Sequence, residues 1–196
     1  RKLIQRVARG KRLGMRTTFA KVGDSNIEMT PALYGLACAD PSPALARGLR
    51  HTLRRYSRVR LANQRAFTGC KPWNSFSRRS AAARSGTFSN WSVIPGTELP
   101  DDGYWAFPSD CDRELTPLQC ELEETRPRFA FVLTGTNDAH FDRALGYPPG
   151  SLVASRLKEV VGALLRAGTV PVLSSIPPIV GGDPARQHER DRFVER

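Results

Sequence analysis

The sequence predicts an α/β domain built on a mostly parallel sheet, and three observations carry that expectation. Phe129 to Leu133 and Thr169 to Leu173 are continuous rather than alternating apolar runs, the pattern of strands covered on both faces. Between them, Ser151 to Ala167 places Leu157, Val160, Val161 and Leu164 at helical spacing, so the section reads as strand, helix, strand. Earlier, Thr17 to Val22 is a short β-rich run stopped by the turn residues Gly23-Asp24-Ser25.

In chain order, residues 1–16 form a basic N-terminal segment and 17–196 the domain proper. The first strand is expected over Thr17 to Val22, and a second helix, amphipathic and very basic, over Ala44 to Tyr56. Leu61 to Leu118 is rich in Gly, Pro, Ser and Asn with little periodicity, so it is expected to wrap the domain as long loops with short elements. Pro149 and Ser151 start the helix between the later strands and Gly168 stops it. Pro184 to Arg196 reads as a helix that begins without a cap to end it, and the chain is therefore expected to be a fragment.

A chain of 196 residues, 40% hydrophobic and 25% charged, is long enough to bury a real core in one soluble domain. No run of eighteen apolar residues exists, and the first residues lack the apolar stretch of a signal peptide, so neither a membrane span nor an export signal is expected in it. The net charge of +11 raises the question of nucleic acid. The basic residues are mostly Arg, spread along the chain without alternating aromatics, which argues against a nucleic-acid surface and for a solvated basic one. Cys38, Cys70, Cys111 and Cys120 show neither a CxxC pair nor zinc-ligand spacing, so no metal is expected. Their even number suggests disulfides and a secreted or cell-envelope setting, with Cys111 to Cys120 the favoured pair and reduced thiols the alternative. Asn90-Trp91-Ser92 fits a glycosylation sequon, a pattern too common to fix the compartment.

Ligands of open parallel sheets bind where loops leave the carboxyl ends of the strands. Three such loops are expected to converge: Gly23-Asp24-Ser25-Asn26, Ser85-Gly86-Thr87 and Thr134-Gly135-Thr136-Asn137-Asp138. Together they offer what acyl transfer needs. Ser25 supplies a nucleophile, and the N–H of Ser25, the N–H of Gly86 and the carboxamide of Asn137 supply donors for a developing oxyanion. Asp24, Asp138 and His140 lie beside these residues and are the candidate substrate-binding positions, with the alternative that Asp138, and Asp24 likewise, ties down its own loop through backbone hydrogen bonds. Each motif also has a plain reading as an ordinary turn, Ser25 as a helix cap and His140 as an exposed loop histidine.

Lys21-Val22-Gly23-Asp24-Ser25 resembles block I of the SGNH (GDSL-like) hydrolases, and Gly135-Thr136-Asn137-Asp138 resembles their block III, G-x-N-D. Ala83-Arg84-Ser85-Gly86-Thr87 resembles block II less closely. The resemblance covers roughly Thr17 to Phe193. It implies a three-layer α/β/α sandwich with a flavodoxin-like sheet, incomplete at the C-terminus, and a serine-dependent ester hydrolase of the esterase, lipase or carbohydrate deacetylase type with no cofactor.

The sequence departs from that family at one point. The D-x-x-H block that supplies the general base is missing: Gly48, Asn137 and Ala185 stand three residues before His51, His140 and His188. Either the block lies beyond Arg196 or the protein is a relative that binds without catalysing. The runner-up function is accordingly a non-catalytic module that holds a polysaccharide or acidic polymer, using the cleft and the basic surface. The expected partner of the enzyme is a small-molecule, carbohydrate or lipid ester, with no nucleic acid and no membrane span.

Overall fold

The computed structural model describes residues 2–12, 14–29, 33–34, 36, 47–62, 73–148 and 150–175. They form an α/β structure on three parallel strands: β1 (Phe19–Gly23), β2 (Phe129–Leu133) and β3 (Val170–Leu173). The sheet order is β1-β2-β3. On the free side of β1, Gly23 makes a parallel bridge to Ala83. Its N–H donates to the Ala82 carbonyl (3.0 Å), and its own carbonyl accepts from the Arg84 N–H (2.9 Å).

Six helices accompany the strands among the described residues: α1 (Lys2–Arg12), α2 (Ser25–Glu28), α3 (Arg47–Ser57), α4 (Pro117–Thr125), α5 (Thr136–Ala144) and α6 (Ser151–Arg166). Two short 3-10 turns, Trp91–Val93 and Gly96–Glu98, lie in the long irregular region. None of the described helices is long and apolar enough to cross a membrane.

Both faces of the sheet carry packed side chains at β1 and β2, whereas Val172 and Leu173 of β3 are exposed. On one face Ala20, Val22, Ala130 and Val132 pack with Leu118 of α4 and with Val160 and Leu164 of α6. On the other, Phe19 meets the rings of Phe131, Phe76 and Tyr56 of α3 at 5.2, 4.8 and 5.9 Å between centroids. Alternate residues of one strand serve opposite layers, so β2 is apolar throughout, and in β1 the one charged residue, Lys21, is buried with its ammonium bonded to the Phe76 and Arg78 carbonyls.

Several elements differ from the sequence expectation. β1 begins at Phe19 because the Thr18 hydroxyl donates to the Thr125 carbonyl (2.7 Å). The basic segment before it holds a helix, α1, which Arg6 joins to the Leu165 carbonyl at the end of α6 (2.7 Å). Helix α4 was not foreseen because its buried face includes Glu121 and Thr125. Its start is conventional: Pro117 in the first turn and a reciprocal capping box between Thr116 and Gln119.

Cys111 and Cys120 form a disulfide with Cα atoms 5.9 Å apart, as expected. Cys38, Cys70 and the helix expected over Pro184 to Arg196 lie outside the described residues, as do residues 44–46 at the start of the expected basic helix.

Candidate active site

The site is built from the carboxyl end of β1 outward. Gly23 is wedged between its neighbours: a Cβ on it would stand 1.9 Å from the Leu133 carbonyl oxygen, and its φ is +143°. Only glycine fits there. The Asp24 N–H then donates to that same Leu133 carbonyl (3.3 Å), so the turn before Ser25 is fixed to the end of β2.

Asp24 caps α2. Its Oδ1 accepts from the backbone N–H and from Nδ2 of Asn26, both at 3.0 Å, and its Oδ2 accepts from the Thr136 N–H (3.3 Å). The residue is fully buried, and burial pushes its pKa above the usual carboxylate value against the lowering effect of these bonds. Asn26 Nδ2 also donates to Thr136 Oγ1 (2.7 Å). Ser25 and Asn137 are thus the sequence neighbours of a hydrogen-bonded pair.

The second loop is tied to both of the others. Glu28 of α2, buried, accepts through Oε2 from the N–H and the hydroxyl of Ser85, and its Oε1 pairs with Arg79. From the third loop, Asn137 Nδ2 donates to the Thr87 carbonyl (2.8 Å). A carboxamide nitrogen carries two hydrogens, so this bond orients the group and leaves a second donor. Asp138 completes the triangle. Its carboxylate accepts from the N–H and hydroxyl of Ser89 (2.9 Å each) and pairs with Arg156 (2.6 Å).

Gly86 is exposed with φ +79°, a value that favours glycine, and a Cβ there would approach the Tyr104 ring to 3.1 Å. The Tyr104 segment is held by Arg84, whose guanidinium donates to the carbonyls of Tyr104 (2.7 Å) and Gly103 (2.6 Å). An open depression of about 580 Å³ adjoins Gly86, lined by Pro100, Asp102, Tyr104 and Trp105.

The structure therefore brings Ser25, Gly86 and Asn137 onto three loops braced against one another at one end of the sheet. Asp24 and Asp138, candidates for substrate contact, are wholly buried with their carboxylates bound internally, so they take the alternative role of loop ties. His140 lies in α5, and its side chain falls outside the described residues. The third loop is also shorter than expected, because α5 begins at Thr136 and sets Asn137 and Asp138 in its first turn.

Sequence reasoning placed Asn26, Arg84 and Thr87 in these loops without a role, and missed Glu28, Ser89 and Tyr104. The turn residues Asp101-Asp102-Gly103 mark a loop before Tyr104 but give the ring no role. Among the described residues no three His, Cys, Asp or Glu side chains group as a metal site. Comparison with models of known families, with curated proteins and with solved structures finds no match to this chain.

Proposed function

We propose that the protein is a serine-dependent ester hydrolase with an SGNH-type fold. Ser25 is the nucleophile, and the N–H groups of Ser25 and Gly86 with the Asn137 carboxamide form the oxyanion hole. The observation that carries the reading is the triangle of loop braces: Asn26 to Thr136, Glu28 to Ser85 and Asn137 to Thr87. Donors preorganised in this way need not reorganise as negative charge develops on the carbonyl oxygen, the largest contribution in most acyl-transfer sites.

In this reaction the Ser25 oxygen attacks the ester carbonyl carbon, its proton passes to a base, and the alkoxide leaves as alcohol once protonated. Water then attacks the acyl-serine and releases the acid. The 196 residues contain no D-x-x-H, so the test supplies a base in solution. Turnover of p-nitrophenyl acetate is measured with added imidazole, and the rate of Ser25→Ala under the same conditions is subtracted. A saturable, Ser25-dependent excess supports the reading, with Asn137→Ala lowering it by roughly a hundredfold. Equal rates for the wild type and Ser25→Ala contradict it.

A further inference from the structure

The net positive charge of the chain has one source. None of the 19 acidic residues lies between positions 41 and 97, a stretch that carries eleven basic ones, so the remaining 139 residues hold 19 of each sign. Helix α3 belongs to this stretch. It is a fixed element: Tyr56 packs on Phe19, Asn74 Nδ2 donates to the Ser57 carbonyl (3.3 Å), and the Leu61 N–H donates to the Trp73 carbonyl (3.0 Å). Its outward side carries exposed Arg54 and Arg55, and exposed Arg58 follows.

The fold places this helix at a defined end of the molecule. Phe19 opens β1 and Ser25 follows its close, and five strand residues span roughly 15 Å. Other arginines gather at the same end. Arg16 precedes β1, Arg126 and Arg128 precede β2, and Arg166 ends α6 just before β3. All but the partly buried Arg128 are exposed. Tyr56 of α3 packs on Phe19, the first residue of β1 (5.9 Å between centroids), so the helix adjoins the strand starts, and burial raises the Tyr56 pKa against the charges of Arg128 and Arg55. Glu123 near the end of α4 is an exposed acid on the same side. The buried carboxylates Asp24, Glu28 and Asp138, by contrast, cluster at the Ser25 end.

From this arrangement we infer that the amino-terminal end of the sheet, centred on Arg54, Arg55 and Arg16, is a docking surface for an acidic polysaccharide, opposite the Ser25 cleft. The chemistry selects the partner. Every cation named at this end is arginine, whose planar fork matches the paired oxygens of sulfate and carboxylate groups. Leu49 is the one exposed large apolar side chain on α3, too little for insertion into a lipid surface. The exposed positions of α3 offer no Asn or Gln for a base edge and no aromatic ring for base stacking. Because the surface faces away from Ser25, a bound polymer leaves the cleft open.

The test is titration calorimetry on the full chain at about 150 mM NaCl. The probes are a heparin octasaccharide (sulfate), an oligogalacturonate (carboxylate), a DNA duplex and phosphatidylglycerol vesicles. At least one polysaccharide is expected to bind more tightly than DNA or vesicles, with log K falling linearly in log salt. Arg54→Glu with Arg55→Glu should weaken it about tenfold or more, and Ser25→Ala should leave it unchanged. Lys158→Glu, at an exposed position in the middle of α6, should change it less than about twofold, against a larger loss from Arg54→Glu alone. Arg54→Lys with Arg55→Lys, which keeps the charge and the fold, should lose part of the affinity. Equal losses from Arg54→Glu and Lys158→Glu, tighter binding of DNA or vesicles, or no polysaccharide binding would each overturn the inference.

Discussion

Lys21 shows how much a single buried residue reports on its surroundings. Its ammonium donates to the carbonyls of Phe76 (3.1 Å) and Arg78 (2.7 Å) and lies 3.5 Å from the centroid of the Tyr34 ring. Burial lowers its pKa to about 7, only partly opposed by Glu121. In the unfolded chain the group stays protonated up to its ordinary value of 10.5, so between these values the unfolded state binds more protons. Stability from this group is therefore complete above the upper value and is lost as pH falls through the lower one. Urea unfolding of wild type and Lys21→Met at several pH values should show their difference growing in favour of wild type, by up to about 1.4 kcal/mol per pH unit. A difference independent of pH would mean that the ammonium is not held in a desolvated site.

At the same scale, Gly23 and Gly86 make different demands. Gly23→Ala drives a Cβ into the Leu133 carbonyl oxygen, a backbone clash that no rotamer relieves, and should cost at least about 3 kcal/mol in chemical denaturation. Gly86→Ala meets only a ring edge. It should cost about 1 kcal/mol from its positive φ while disturbing the second donor of the oxyanion site more than the fold.

Among the elements, α5 and the loop through Ser89 are coupled by one carboxylate. Asp138→Ala removes the acceptor of two Ser89 donors and leaves Arg156 partly buried without its ion pair, so thermal or urea unfolding should show a loss of about 3 kcal/mol. The Asn137→Ala change, which leaves that brace intact, should barely alter stability. Reducing the Cys111–Cys120 bridge, which closes a short loop into α4, should cost about 2 to 3 kcal/mol.

The elements also show what the sequence could reveal. Ser25 and Asn137 could be set at one end of the sheet because short polar turns interrupt apolar, β-rich segments there, and in a parallel sheet such turns share an end. Gly86, in an irregular stretch, stood only on the weaker block II resemblance. Helices α4 and α5 were hidden because their inward positions include Glu121, Thr125, Asp138 and Asp142, all buried, so hydrophobic periodicity fails. Asp24 and Asp138 had two readings in the sequence, contact with substrate and ties for their own loops, and the structure shows the second. Carboxylates beside a nucleophile suggest contact with substrate, whereas here they satisfy backbone and side-chain donors that loops at the sheet end leave open. Tyr104 carries no sequence signal of its own, because a loop pinned by Arg84 from twenty residues away is a property of tertiary structure.

At the scale of the molecule, the proposed catalysis and the proposed docking fall at opposite ends of the sheet. The carboxyl end gathers Ser25, Gly86 and Asn137 with the braces that hold them, and the amino end gathers the arginines. Covalent capture at the carboxyl end tests whether Ser25 is a nucleophile facing the proposed donors. The chain is incubated with an alkyl fluorophosphonate in imidazole buffer, and intact-mass and peptide mass spectrometry locate the adduct. Phosphonylation builds a tetrahedral centre whose oxygen faces the same donors as the oxyanion. The account requires a single adduct on Ser25, none on Ser25→Ala, and labelling slowed by about ten- to a hundredfold in Asn137→Ala. Labelling elsewhere, no Ser25 adduct beyond the solvent background, or an undiminished rate in Asn137→Ala would contradict it.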